Sequence, residues 1–269
     1  MGSRGLSSKG NSSKTPKKWE LSSKNAKDYG IMLKKRNTNK VNNEFKKQAY
    51  ANLDNSLGTI NQMGELLGLK PGDLPKVLLN YGAYSTSAYG DTNMFGKYMK
   101  DVVDSKSGEI IFTPQAVINL YIDGLKNSPD TAAHEMWHAL EAKWIQDDFT
   151  GFDRSNAWID NIFSKGICRN ALVSMGKQTK FVPFSSIDSK LNNDVWKEQA
   201  QTIYRDDWEK NHPERTYASS EGRGKYAETI TCTIQAALRY GEKNISPFGQ
   251  AILKELRKEI KRRRGGKKK

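Results

Sequence analysis

Only three histidines occur in the 269 residues of this chain, and two of them stand four apart with a glutamate beside the first. The stretch runs Thr131-Ala132-Ala133-His134-Glu135-Met136-Trp137-His138-Ala139-Leu140. On a helix, His134 and His138 lie one turn apart on the same face, so two imidazoles can converge on one metal ion. Glu135 is the next residue round the helix, placed to take a proton from a water on that metal. Fixed ligands, an open coordination position and a carboxylate are how a metal hydrolase makes a nucleophile near neutral pH.

The flanking residues point to a helix. Ser128-Pro129-Asp130-Thr131 is a start signal, with Pro suited to the first turn and Ser or Asp to the cap. Ala133, Met136, Trp137, Leu140 and Trp144 then recur at helical spacing as an apolar stripe. The segment resembles the zincin metallopeptidase signature, in which Thr or Val stands three residues before the first His and uncharged residues fill the gaps. Thr131, Ala132, Met136, Trp137, Ala139 and Leu140 satisfy that longer pattern. The resemblance implies a Zn2+-dependent peptidase, with His134 and His138 as ligands and Glu135 as general base.

A third ligand must come from elsewhere. The metzincin pattern requires Gly at 141 and His at 144, and the chain has Glu141 and Trp144. The same rigid helix carries Glu141 away from the metal. Glu228 is the candidate, at the edge of an apolar stripe made by Ala227, Ile230, Ile234 and Ala237. His212, next to Pro213 in a polar turn, is its rival. The stretch from Tyr217-Ala218 to Tyr226-Ala227-Glu228 is also similar to gluzincin toxin-type domains, including those attached to phage minor head proteins. That resemblance implies Glu228 as zinc ligand and Tyr217 as a hydroxyl donor to the tetrahedral intermediate. The acidic pair that precedes the aromatic residue in that pattern is here Gly224-Lys225.

Charge is unevenly spread around these residues. The formal net charge is +14, of which residues 1–50 carry +10 and residues 254–269 carry +8, leaving the middle at −4. Residues 1–44 are rich in Ser, Lys, Asn and Gly and read as a disordered tail with too little apolar surface to offset chain entropy. Residues 254–269 read as the end of a helix beginning near Pro247, followed by a basic tail. Such runs can bind nucleic acid or an anionic surface, or serve only as solvated ends. Residues 45–253 are the expected metallopeptidase domain.

No segment approaches a membrane span, and no apolar signal-peptide core opens the chain, which leaves virion-associated or cytoplasmic settings open. Cys168 and Cys232 are too few for a disulfide framework and lack metal-ligand spacing. A Cys168–His212 thiol hydrolase has no local motif behind it.

Elements that must position the motif follow from periodicity. Phe45, Ala49, Leu53, Leu57, Ile60, Met63 and Leu67 indicate one or two helices. Glu109–Thr113 is the best strand, and it or a segment within 81–98 is expected to present the edge that pairs with substrate. Pro114 is expected to open a helix carrying Val117, Ile118, Tyr121, Ile122 and Leu125. Val195, Trp196, Ile203, Tyr204 and Trp208 mark a later helix. The expected fold is α+β, mainly helical, with a small mixed sheet and an active-site helix. The expected function is zinc metalloendopeptidase on a protein or peptide substrate. The alternative is a non-enzymatic phage structural or nucleic-acid-associated protein with a structural zinc site. An intact Glu135, for which a structural site has no use, separates the two.

Overall fold

The periodic apolar run after Phe45 folds as two helices, α1 (Asn43–Ala51) and α2 (Leu53–Leu67). They belong to a computed structural model of the chain that describes residues 16–93, 99–150, 154, 157, 161–178, 191–203, 218–219 and 225–266. The Asn42 side chain caps α1 by accepting the Phe45 N–H at 2.7 Å, which satisfies one of the amides a helix start leaves unpaired. Leu53, Leu57, Ile60, Met63 and Leu67 form the buried face of α2.

A four-stranded sheet lies beside these helices, in the order β1 (Ile31–Lys35), β2 (Val77–Ala83), β6 (Ala116–Tyr121) and β3 (Gly90–Asn93). The first three strands are parallel, and β3 runs antiparallel to β6 at the edge. Between β3 and β6 in sequence, β4 (Val102–Val103) and β5 (Ile110–Phe112) form a separate two-stranded ribbon. Ile110 and Ile111, the middle of the expected best strand, are exposed there, in a ribbon apart from the four-stranded sheet. The fold is α+β.

The helix expected from Pro114 is not formed over its first part. Ala116–Tyr121 is strand β6, and only the residues after it continue as α3 (Ile122–Asn127). The physical reason is its place between β2 and β3. A strand paired on both sides and covered on both faces reads as a continuous apolar run, and Val117, Ile118 and Tyr121 then fit a helical spacing by accident. Leu125 is buried on α3 as a helical residue.

The disordered tail expected for residues 1–44 is also corrected from residue 16 onward. Ile31 begins a strand of the main sheet and is fully buried, and Leu21, Ala26 and Tyr29 are buried with it. Trp19 lies across α2 at Gly64, where an added Cβ would meet its indole at 2.3 Å. Its Nε1 donates to the Leu69 carbonyl at 3.0 Å. Asn61 holds Leu21 from both sides, accepting its N–H at 2.9 Å and donating to its carbonyl at 3.1 Å. A segment poor in apolar residues folds because each of its few has a distant partner.

Four helices complete the core: α4 (Thr131–Asp148), α5 (Ile162–Ser174), α6 (Asn193–Ala200) and α7 (Lys225–Tyr240). Tyr204 and Trp208, expected on the helix with Trp196, lie outside the described residues. The last helix, α8 (Pro247–Gly266), starts where the sequence suggested, and its part beyond residue 254 packs on the core. Leu256, Glu259 and Ile260 are buried, and the basic residues fold back onto carboxylates. Arg263 pairs with Glu259 and Asp148, Arg264 with Asp73, and Arg257 with Glu242.

Helix α4 is the centre of the packing. It touches α2, α7, β3 and β6, and residues from Thr131 to Ala142 are all buried. Its start is fixed by charge rather than by a side-chain cap. The Asp130 carboxylate accepts two N–H bonds from Arg239 at 2.5 and 3.0 Å, which ties the C-terminal turn of α7 to the N-terminus of α4. Among the described residues no helix is long and apolar enough to cross a membrane.

Candidate metal centre

Helices α4 and α7 bring three donors together. His134 and His138 stand one turn apart on α4, and Glu228 faces them from the first turn of α7. The two histidine Nε2 atoms are 3.2 Å apart. Glu228 Oε2 lies 3.1 Å from His134 Nε2, and its Oε1 lies 3.3 Å from His138 Nε2. Ligands at about 2.0–2.1 Å from a tetrahedral ion are about 3.3 Å from one another. The two imidazole nitrogens stand at such an edge, and the Glu228 carboxylate faces both of them, one oxygen to each. The two histidines are buried and Glu228 is partly buried, and the group can hold a metal ion.

Each donor is held in place by neighbours. Gln235 Oε1 lies 3.0 Å from His134 Nδ1, so Nδ1 carries the proton and Nε2 turns its lone pair to the cluster. Gln235 is two turns after Glu228 on α7. The start of α7 is pinned by Tyr226, whose hydroxyl donates to Asn193 Oδ1 at 2.6 Å. Trp196 Nε1 donates to Thr229 Oγ1 at 3.2 Å, and that hydroxyl donates to the Ala218 carbonyl at 2.7 Å. Ala218, the second residue of the Tyr217-Ala218 pair, is therefore buried against the turn that carries Glu228.

The electrostatics couple the three groups to one another. Two imidazole lone pairs and a carboxylate this close repel one another unless positive charge lies between them. Burial alone would lower both histidines, but the Glu228 carboxylate more than reverses it, raising His134 to about 9 and His138 in the same direction. Burial likewise works to raise Glu228, yet the two imidazoles hold it well below the usual carboxylate range. Burial dominates at Glu135 and raises it, opposed in part by both histidines and by a hydroxyl from Thr92.

A pH dependence follows for the metal-free protein. His134 rises from 6.5 to about 9 on folding, so its stabilising charge is fully present below about 6.5 and lost as pH climbs through about 9. The Tm of chelator-treated protein is expected to fall across that window. The metal-loaded protein, its imidazoles already neutral ligands, is expected to show no such fall. Thermal unfolding at pH 6.5, 7.5 and 9 measures both, and a flat Tm in the stripped protein contradicts the arrangement.

Glu135 lies beside the cluster, and its Oε2 accepts the Thr92 hydroxyl at 2.7 Å. Glu141 is no ligand. Its carboxylate accepts the Ser164 N–H at 2.9 Å and hydroxyl at 2.8 Å, capping the first turn of α5. Cys168 is fully buried and burial pushes its thiol up, the opposite of what a nucleophile needs. Tyr217 and His212 lie outside the described residues. Thr92 and Gln235 were not found by sequence reasoning. Gln235 had a signal in its seven-residue spacing from Glu228, whereas Thr92 had none. No family model, curated protein or solved structure matches the chain.

Proposed function

We propose that this protein is a zinc-dependent metallopeptidase of gluzincin type, with His134, His138 and Glu228 as ligands and Glu135 as general base. The observation that carries the proposal is the convergence of two imidazoles and one carboxylate, their ligand atoms within 4.8 Å of one another, with a buried carboxylate on the residue next to His134. Two imidazoles and one carboxylate are a donor set that suits zinc and leaves a fourth position for water or substrate. Zinc bound there supplies Lewis acidity, which lowers the pKa of water and polarises the scissile carbonyl.

The chain's own residues do the rest. Glu135 accepts the proton of the attacking water and passes it to the leaving amine. Strand β3 is the end of the sheet beside α4, so an extended substrate can add to it by main-chain hydrogen bonds. That strand falls within the 81–98 range read from the sequence. Tyr217 is the proposed donor to the developing oxyanion, on the resemblance of the Tyr217-Ala218 to Glu228 stretch alone.

The test is hydrolysis of an unfolded protein substrate by purified protein. Activity is expected to vanish with a chelator and to return with stoichiometric zinc. A zinc-loaded protein that cleaves no unfolded substrate would instead support a structural zinc site.

A further inference from the structure

Strand β3 has two faces, and each grips something different. Alternate residues of a strand point to opposite sides. Towards α4 stand Gly90 and Thr92. A Cβ added at Gly90 would lie 2.7 Å from Thr131 Cγ2 and 2.9 Å from Glu135 Cγ, so the strand can approach the helix this closely only with glycine there. Two residues on, Thr92 Oγ1 lies 2.7 Å from Glu135 Oε2 and 3.0 Å from the Glu135 carbonyl oxygen. The hydroxyl has one proton, and the shorter contact to a charged acceptor takes it.

The other face locks the strand to the sheet. Asp91 Oδ1 accepts N–H bonds from Asn93 and Asn119, both at 2.7 Å, and its Oδ2 accepts the Tyr121 hydroxyl. Asn119 Oδ1 in turn accepts from Asn80 at 2.9 Å, and Asn80 Oδ1 accepts from Arg36 Nε at 3.0 Å. This chain of bonds crosses from β3 through β6 and β2 to the residue after β1. The strand that holds Thr92 against Glu135 is thereby fixed in register and tilt.

We propose that Thr92 is a positioning residue for Glu135 and assigns the travelling proton to Oε1; the proposal rests on the peptidase reading above. A glutamate side chain has three rotatable bonds, and the Thr92 hydroxyl removes that freedom at the carboxylate end. The bond survives both protonation states. While Glu135 is ionised, Oε2 accepts as a carboxylate oxygen. Once the proton of the attacking water has moved to Oε1, Oε2 remains as a carbonyl acceptor for the same hydroxyl. The proton then leaves Oε1 for the amine nitrogen as the C–N bond breaks, and Glu135 returns to its starting state. The strand a peptide would add to is also the strand that holds the base, so substrate alignment and base alignment share one support.

Thr92→Val removes the hydroxyl at nearly constant volume, and Thr92→Ser keeps it. Three measurements are made on the full chain: zinc per molecule, kcat and KM on an unfolded protein substrate, and the Glu135 conformation in crystals. Thr92→Val is expected to keep its zinc, to lose about 10- to 100-fold in kcat with KM within about twofold, and to show the Glu135 carboxylate in more than one rotamer. Thr92→Ser is expected to recover kcat to within about threefold of wild type. A Thr92→Val protein with wild-type kcat and an unchanged single Glu135 rotamer overturns the proposal. If wild type itself cleaves nothing, the peptidase reading fails, and the crystals alone decide whether Thr92 orients Glu135. Should Thr92→Val not fold, Thr92→Ala, which adds no bulk, is measured in its place against the same outcomes.

Discussion

Glu135→Gln is expected to keep its metal and its fold while losing about a thousandfold or more in kcat, about 4 kcal/mol of transition-state stabilisation. The amide is the same size as the carboxylate, and its carbonyl oxygen can still accept the Thr92 hydroxyl that now meets Oε2 at 2.7 Å. What it cannot do is accept a proton from water. The contrast between intact zinc content and lost turnover is the signature of a general base. Steady-state kinetics with elemental analysis on the same preparation measures both. Equal kcat in the variant and wild type would remove Glu135 from the chemistry.

Glu228→Ala acts on the other side of the mechanism. It removes one of the three proposed ligands and leaves two imidazoles to hold the ion, so zinc affinity is expected to fall by more than about a thousandfold, or about 4 kcal/mol. Activity should fall with it and return in part at high zinc. The helix itself tolerates the change, because α7 is anchored by Tyr226, Thr229 and Arg239 rather than by Glu228. Competition against a chromogenic chelator gives the affinity directly. Unchanged affinity would exclude Glu228 as a ligand.

The candidate metal-binding group was more legible in the sequence than the frame around it. His134, Glu135 and His138 are legible because helical period alone fixes their relation. Glu228 is ninety residues further on, yet the apolar stripe beside it marks a helix with one face buried. Strand β6 was misread because a central strand has no alternation to distinguish it from a buried helix. Residues 16–44 were misread for a different reason: composition averages over a segment, whereas Trp19, Leu21 and Ile31 are held one by one by Gly64, Asn61 and Val77. Charge counting is silent in the same way on which basic residues at the C-terminus are paired. Arg263 and Arg264 meet Asp148 and Asp73, which lie 115 and 191 residues away in sequence. With those guanidinium groups engaged, the described part of α8 offers less to a phosphate backbone than its composition suggested. Truncation at residue 253 would consequently remove Leu256 and Ile260 from the core rather than trim a tail.

Thr92 shows a different limit. It lies in a stretch of Tyr, Gly, Ser and Thr with no periodicity, and only the register of β3 against β6 directs it at Glu135. No pattern within the strand itself encodes that contact. Gln235 is intermediate, because its spacing from Glu228 is helical but a glutamine on a helix face is ordinarily solvated.

The central claim is that His134, His138 and Glu228 share one zinc ion. Anomalous diffraction from crystals of the wild-type protein, recorded above and below the zinc absorption edge, tests it most directly. A single peak is expected inside the triangle of donors, about 2.0–2.1 Å from both Nε2 atoms and from a Glu228 oxygen, with one further coordination position open to solvent. Zinc-supplied crystals with no peak there, or with a peak bound elsewhere on the chain, would contradict the account.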